Sequence, residues 1–177
     1  MTTAPVAMAV LRAATADRHQ RLEDALDLLA DDLTLDRWRR TLVRLLGVVE
    51  PLERALDRTP PPVDDWPARR RAALLRADAG DPDVVPPCAA LPDVSTPGRA
   101  MGALYVLEGS TLGGRHVSAH VRRVLGAAAG VRWFTAYGDA APARWASFRA
   151  AAGRHDPEEM AAAAQATFDA FLARATA

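Results

Sequence analysis

Apolar residues return at alternating intervals of three and four along most of this chain, the period of an α-helix with one buried face. The cleanest run is Leu35, Trp38, Leu42, Leu45, Val49, Leu52 and Leu56, which predicts one long helix. Pro51 falls inside that run, where it removes a backbone donor and crowds the Gly47 carbonyl, so a bend is expected rather than a stop. An earlier helix, from about residue 5 to residue 29, would turn Leu11, Ala14, Leu22, Ala25, Leu26 and Leu29 inward. The stretch RTPPPVDDWP (58–67) breaks the pattern, and a short Arg-rich helix is expected after it, to about Ala77. Residues 80–97 carry too many prolines for a regular element beyond one short helical turn, and read as a connector.

Two later helices announce their starts. Thr96 and Pro97 form an N-cap and first-turn proline, opening a helix that should continue to about Leu125. In HDPEE, Asp156 caps, Pro157 takes the first helical position, and Glu158 and Glu159 complement the positive helix end. Met160, Phe168, Phe171 and Leu172 would supply the buried side of this last helix. Between the two, RWFTAYGDAAPARWASF reads as a turn and then a helix with Trp145 and Phe148 on one face. No β alternation and no internal repeat appears, so the expected architecture is all-α, with one domain over residues 1–177.

The chain has 177 residues, half of them apolar and a quarter charged, which suffices for a real core without covalent staples. Its 22 basic residues, all Arg, are balanced by 22 acidic ones and spread along the chain, which argues against a nucleic-acid partner. The run Arg69, Arg70, Arg71 is flanked by Asp64, Asp65 and Asp78 and reads as the solvated face of a helix. A lone Cys88 excludes an internal disulfide and suits a reducing compartment. No charged segment precedes the first apolar stretch, and none approaches the ~18 apolar residues of a membrane span. A cytoplasmic protein with no membrane association is expected.

Candidate chemistry starts from LEGSTLGG (107–114). Gly109, Gly113 and Gly114 each cost about 1 kcal/mol of helix stability relative to Ala, which implies a kink or the close approach of another body. On the first helix, Arg12, Thr15, His19, Glu23 and Leu26 share a face. His19 with Glu23 one turn on suits a metal-ligating imidazole whose second nitrogen donates to a carboxylate, but His-x-x-x-Glu on a helix is common and by itself reads first as a surface ion pair. His116 and His120 have ligand spacing, but no carboxylate completes a zinc motif, and Arg115, Arg122 and Arg123 would oppose a dication. They read as surface histidines, and His155 as a loop residue. None of Glu50, Glu53, Glu108, Glu158 and Glu159 has a His three residues on, which sets aside a di-iron site. Local support for a Ser/His or Cys/His nucleophile or a phosphate loop is missing. What remains is a helix with a potential imidazole ligand and a helix with an opened backbone, a pair able to clamp a flat cofactor such as haem. Kinking without any ligand accounts for the glycines as well.

LRAATADRHQRLEDAL (11–26) and GALYVLEGSTLGG (102–114), followed by WFTAYG and RWASF, resemble the biliverdin-producing haem oxygenase family, in particular its compact bacterial branch found with bacterial phytochromes. The similarity runs through nearly the whole chain in the expected order. It implies a helical fold that sandwiches haem between a proximal helix and a distal helix kinked at glycines. His19 matches the proximal iron ligand, Glu23 the carboxylate near it, and Arg12 a basic position that contacts a haem propionate. Gly109, Gly113 and Gly114 match the distal glycines, whose bare backbone approaches the haem and leaves room for oxygen. Ser110 departs from the family pattern: many members carry an Asp there that organises distal water, and a hydroxyl is uncharged and shorter.

The resemblance implies oxygen-dependent cleavage of haem, which is both cofactor and substrate, to biliverdin, carbon monoxide and ferrous iron. Ser110, Gly109 and Gly113 would form the catalytic distal wall, and His19, Glu23, Arg12 and Gly114 would hold the haem. Electrons would come from an external reductase, ferredoxin or flavodoxin, and a bacterial phytochrome could use the product. A non-catalytic haem-binding protein and a ligand-free helical accessory module stand as alternatives. A thiaminase-type hydrolase ranks last, because no Cys occupies the glycine helix.

Overall fold

The computed structural model describes residues 3–60, 62–86 and 88–176. Pro61 and Pro87, which contribute to the two predicted breaks, lie outside the described residues. Six α-helices follow one another, with no strand among the described residues: α1 (Ala4–Leu26), α2 (Leu35–Leu56), α3 (Ala72–Asp78), α4 (Pro97–Leu125), α5 (Ala141–Ala152) and α6 (Pro157–Ala175). Short 3-10 turns occupy Trp66–Arg69, Gly126–Ala128 and Gly138–Ala140. The all-α expectation holds, and one cluster of buried apolar side chains draws on all six helices. No helix among the described residues is long and apolar enough to cross a membrane.

The starts follow the capping chemistry. Thr34 Oγ1 accepts from the Arg37 N–H at 3.2 Å, and Thr96 Oγ1 accepts from the Arg99 N–H at 3.2 Å. Asp156 Oδ1 accepts from Glu158 N–H at 2.8 Å and Glu159 N–H at 3.4 Å, satisfying donors that the first turn leaves orphaned. Replacing Asp156 by Ala is therefore expected to cost about 1 kcal/mol, read as a lower urea midpoint at unchanged m-value. α2 runs through Pro51 without ending, and buries Trp38, Leu42, Leu46, Val49, Leu52 and Leu56 along its stripe.

α1 departs from expectation at its end. The chain leaves the helix at Asp27, which adopts a left-handed conformation (φ 44°), so the inward face does not continue to Leu29. Ala25 is exposed and Leu29 is 45% exposed. Where one Arg-rich helix was expected, a 3-10 turn over Trp66–Arg69 precedes α3.

α6 packs along both α1 and α4, which scarcely touch one another. Against α1, Gln165 Nε2 donates to the Ala14 carbonyl at 2.8 Å, Arg18 pairs with Asp169 at 2.9 Å, and the His19 ring meets the Phe168 ring. Against α4, Gly98 lies under Glu159, and Gly102 lies against Met160 and Ala163. Residue numbers rise together in both pairings, so α1, α4 and α6 run in the same sense.

Candidate functional site

His19 and Glu23 lie on the exposed side of α1, with side chains 59% and 60% accessible. Their closest atoms, His19 Nε2 and Glu23 Oε1, are 3.8 Å apart, an electrostatic contact too long for a hydrogen bond, so neither ring nitrogen is committed. The Phe168 ring of α6 lies edge-on to the imidazole, with centroids 5.8 Å apart. Arg12, about two turns earlier on the same face, is exposed and has no ion-pair partner among the described residues.

The three distal glycines divide into two kinds. A Cβ built on Gly109 or Gly113 meets nothing within 4 Å, so these positions face open space. A Cβ on Gly114 would overlap the Phe134 carbonyl, so its missing side chain serves the approach of the loop before α5. Height along α6 relates the open pair to His19. Eight residues beyond Met160, which Gly102 touches, comes Phe168, which His19 touches. Eight residues beyond Gly102 comes Ser110, and both steps rise ~12 Å. The bare stretch of α4 and the free imidazole of α1 thus stand at comparable heights on two helices that α6 holds apart. The contrast between glycines is testable. Gly109→Ala should stabilise the protein by about 0.5–1 kcal/mol, since the new methyl has room and the helix gains propensity, whereas Gly102→Ala should destabilise it by about 1–3 kcal/mol through the clash with Met160. Thermal denaturation of both variants reads the opposite signs.

Ser110 looks toward the protein. Its hydroxyl donates to the Leu107 carbonyl at 2.6 Å, and Arg71 Nη2 lies 3.4 Å from the same Oγ. Arg71 overturns its expected place on a solvated helix face. It is 3% exposed, donates to the Leu107 carbonyl at 2.5 Å and the Trp133 carbonyl at 3.2 Å, and has the Trp133 and Tyr137 rings against its guanidinium. Arg69 is buried as well, at 1% exposure. It pairs with Glu108 at 2.5 Å and Asp65 at 2.6 Å, and donates to Ser147 Oγ at 2.7 Å. Tyr137 completes the network by donating to the other Glu108 oxygen at 2.7 Å. Of the run, only Arg70 reaches solvent, where it pairs with Asp57. Flanking acids suggested a surface because they are near in sequence, but the deciding partner, Glu108, is 39 residues away.

The electrostatics follow from this packing. Burial opposes the Arg69 charge, but the Asp65 and Glu108 carboxylates outweigh it and hold the guanidinium pKa above its ordinary value. Burial, reinforced by Glu108, pushes the Tyr137 phenol up, so it stays a neutral donor. Burial also raises the Glu53 carboxyl, which accepts from the Arg71 and Ala72 N–H groups and anchors the start of α3. Glu53, Arg69, Arg71, Glu108 and Tyr137 form a rigid polar underside to the glycine stretch. One signal for it was present in the sequence: Glu108 directly follows the uncharged, largely apolar run 100–107 of a long helix, and a buried acid requires a cation.

Of the remaining histidines, His120 is half-buried and hydrogen-bonded rather than at the surface as expected. His120 Nε2 lies 3.1 Å from the Ala30 carbonyl and Nδ1 lies 3.1 Å from Arg123 Nη2, an arrangement that a neutral Nε2–H tautomer satisfies. His116 is exposed, and the half-buried His155 has its pKa lowered by burial and by Arg154. No group of three or more metal-ligating side chains gathers among the described residues. A cavity of about 330 Å³ beside α4 is lined by Thr111, Leu112, Phe134 and Tyr137, on the side that faces the loop before α5. Cys88 is half-buried, with Sγ 3.1 Å from the Ala90 carbonyl. No known protein-family model matches the chain, and no curated protein matches it.

Proposed function

We propose that the protein is a haem oxygenase of the single-domain helical kind, holding haem between α1 and α4 and opening its ring with molecular oxygen to biliverdin, carbon monoxide and ferrous iron. One observation carries the reading: Gly109 and Gly113 face open space at the height where α1 presents the uncommitted His19 imidazole. A flat macrocycle needs this pair of surfaces, an imidazole on one side and bare backbone on the other. Bound haem supplies the iron at which oxygen is activated and is itself the substrate consumed.

The chain's own residues divide the work. His19 would hold the iron as a neutral imidazole, and Glu23, 3.8 Å away, would accept the other ring N–H and so fix the tautomer. The unpaired Arg12 meets a propionate carboxylate and so sets the rotation of the ring in its site. Gly109 and Gly113 leave room on the distal side. Ser110 donates its proton to the Leu107 carbonyl and accepts from Arg71, so its hydroxyl would have to turn to donate to a distal ligand. The chain carries no flavin or nicotinamide fingerprint, so a separate reductase, ferredoxin or flavodoxin delivers electrons, and a bacterial phytochrome is a fitting recipient of the bilin.

A single-turnover assay tests this. Protein loaded with one haem receives reductant, oxygen and catalase and is followed by absorbance. Decay of the Soret band with growth of a biliverdin band is the expected result, and catalase ensures that free peroxide is not the oxidant. A Soret band that persists as a ferric or oxy complex would identify a haem-binding protein without turnover. No spectral change on adding haem would leave a ligand-free helical module.

A further inference from the structure

A cavity of about 790 Å³ lies at the C-terminal end of α4, away from the face that carries Gly109 and Gly113. Its wall brings together Arg39 of α2, Arg122 of α4 and Arg132, with Asp78 at the end of α3 and the loop Gly126–Gly130. The charges do not cancel. Asp78 is fully buried and already engaged, accepting from Arg132 Nε at 2.9 Å and the Trp133 N–H at 2.8 Å. Arg39 and Arg122 are exposed and have no hydrogen-bond or ion-pair partner among the described residues, whereas thirteen other arginines are held in ion pairs with carboxylates. Three guanidinium groups against one neutralised carboxylate leave two positive charges facing one concavity.

The floor is built to match. Gly130 packs so closely on Asp78 that a Cβ there would lie 2.6 Å from the Asp78 Cα, which draws the 126–132 loop down against α3. The Trp38 indole N–H donates to the Gly130 carbonyl at 3.0 Å and turns that peptide's acceptor toward the core. The N–H groups of Gly130 and Val131 have no acceptor among the described residues. Free backbone donors beside unpaired guanidinium forks are the donor set that recognises phosphate. The volume falls in the range of small-molecule sites.

We propose that this cavity is a second ligand site, specific for a phosphate-bearing small molecule held by Arg39 and Arg122. Inorganic pyrophosphate is the probe, titrated by calorimetry and by intrinsic fluorescence, since Trp38 is bonded to the cavity wall. Saturable binding is expected, weakened at least about tenfold in Arg39→Gln and in Arg122→Gln, and unchanged in Arg149→Gln, which removes an exposed arginine elsewhere. Both cavity arginines are exposed, so the variants retain the fold. Absence of saturable binding at millimolar pyrophosphate overturns the proposal. So does equal weakening by Arg149→Gln, which would mean only a general charge effect, and so does succinate binding as tightly as pyrophosphate, which would mean a carboxylate site.

Discussion

Replacing Glu108 by alanine is expected to lower the unfolding free energy by about 3–5 kcal/mol, the largest loss we anticipate from any single polar side chain in this protein. Glu108 and Arg69 are each about 1% exposed and form the centre of the network below α4. Removing the carboxylate leaves the buried Arg69 guanidinium with Asp65 as its one remaining counter-charge among the described residues, and strips Tyr137 of its acceptor at 2.7 Å. Urea unfolding followed by far-ultraviolet circular dichroism measures the effect. Tyr137→Phe, which removes one hydrogen bond and keeps the ion pair, should cost only about 1–2 kcal/mol. The double variant Arg69→Met/Glu108→Leu should recover most of the loss, because apolar side chains replace both charges together. A loss below about 1 kcal/mol in Glu108→Ala would mean that the pair is hydrated and the network is not a buried one.

His19→Ala is expected to abolish a histidine-ligated haem spectrum while changing stability by less than about 0.5 kcal/mol. The two readouts separate because the His19 side chain is 59% accessible and makes no hydrogen bond among the described residues. Titration of ferric haem, watched in the Soret region, gives the first readout, and thermal denaturation the second. Glu23→Gln should retain ligation with affinity reduced by about 10-fold or more, since the carboxylate acts through the imidazole. An unchanged spectrum in His19→Ala would move the ligand elsewhere and remove the main support for the proposed site.

The sequence carried the helices well and the polar interior poorly, for one physical reason. Helix period, capping residues and first-turn prolines act over three or four positions, so Thr96 and Asp156 could be read locally, and each caps as expected. The inward face of α1 failed at its last turn because Asp27 leaves the helix through a left-handed residue, which periodicity does not register. The Arg69–Arg71 run failed more completely. Its environment is set by Glu108, Trp133 and Tyr137, which come together only after α4 and the loop before α5 have packed. The site was legible in part. His19, Gly109 and Gly113 stood out by chemistry and cost, whereas the use of Gly114 by Phe134 and the turn of Ser110 toward Arg71 are tertiary facts.

The arrangement of α6 has a consequence for how this protein could change. Neither helix that flanks the candidate site sets the width between them. That spacing is fixed by a third helix rich in alanine, with Ala161, Ala163, Ala164 and Ala170 all buried. Enlarging those residues would push the walls apart, and shrinking Phe168 would let them settle inward, without altering any residue that meets a ligand. The spacing between α1 and α4 and the chemistry of the residues that meet a ligand are therefore separate variables in this sequence, open to selection on different helices.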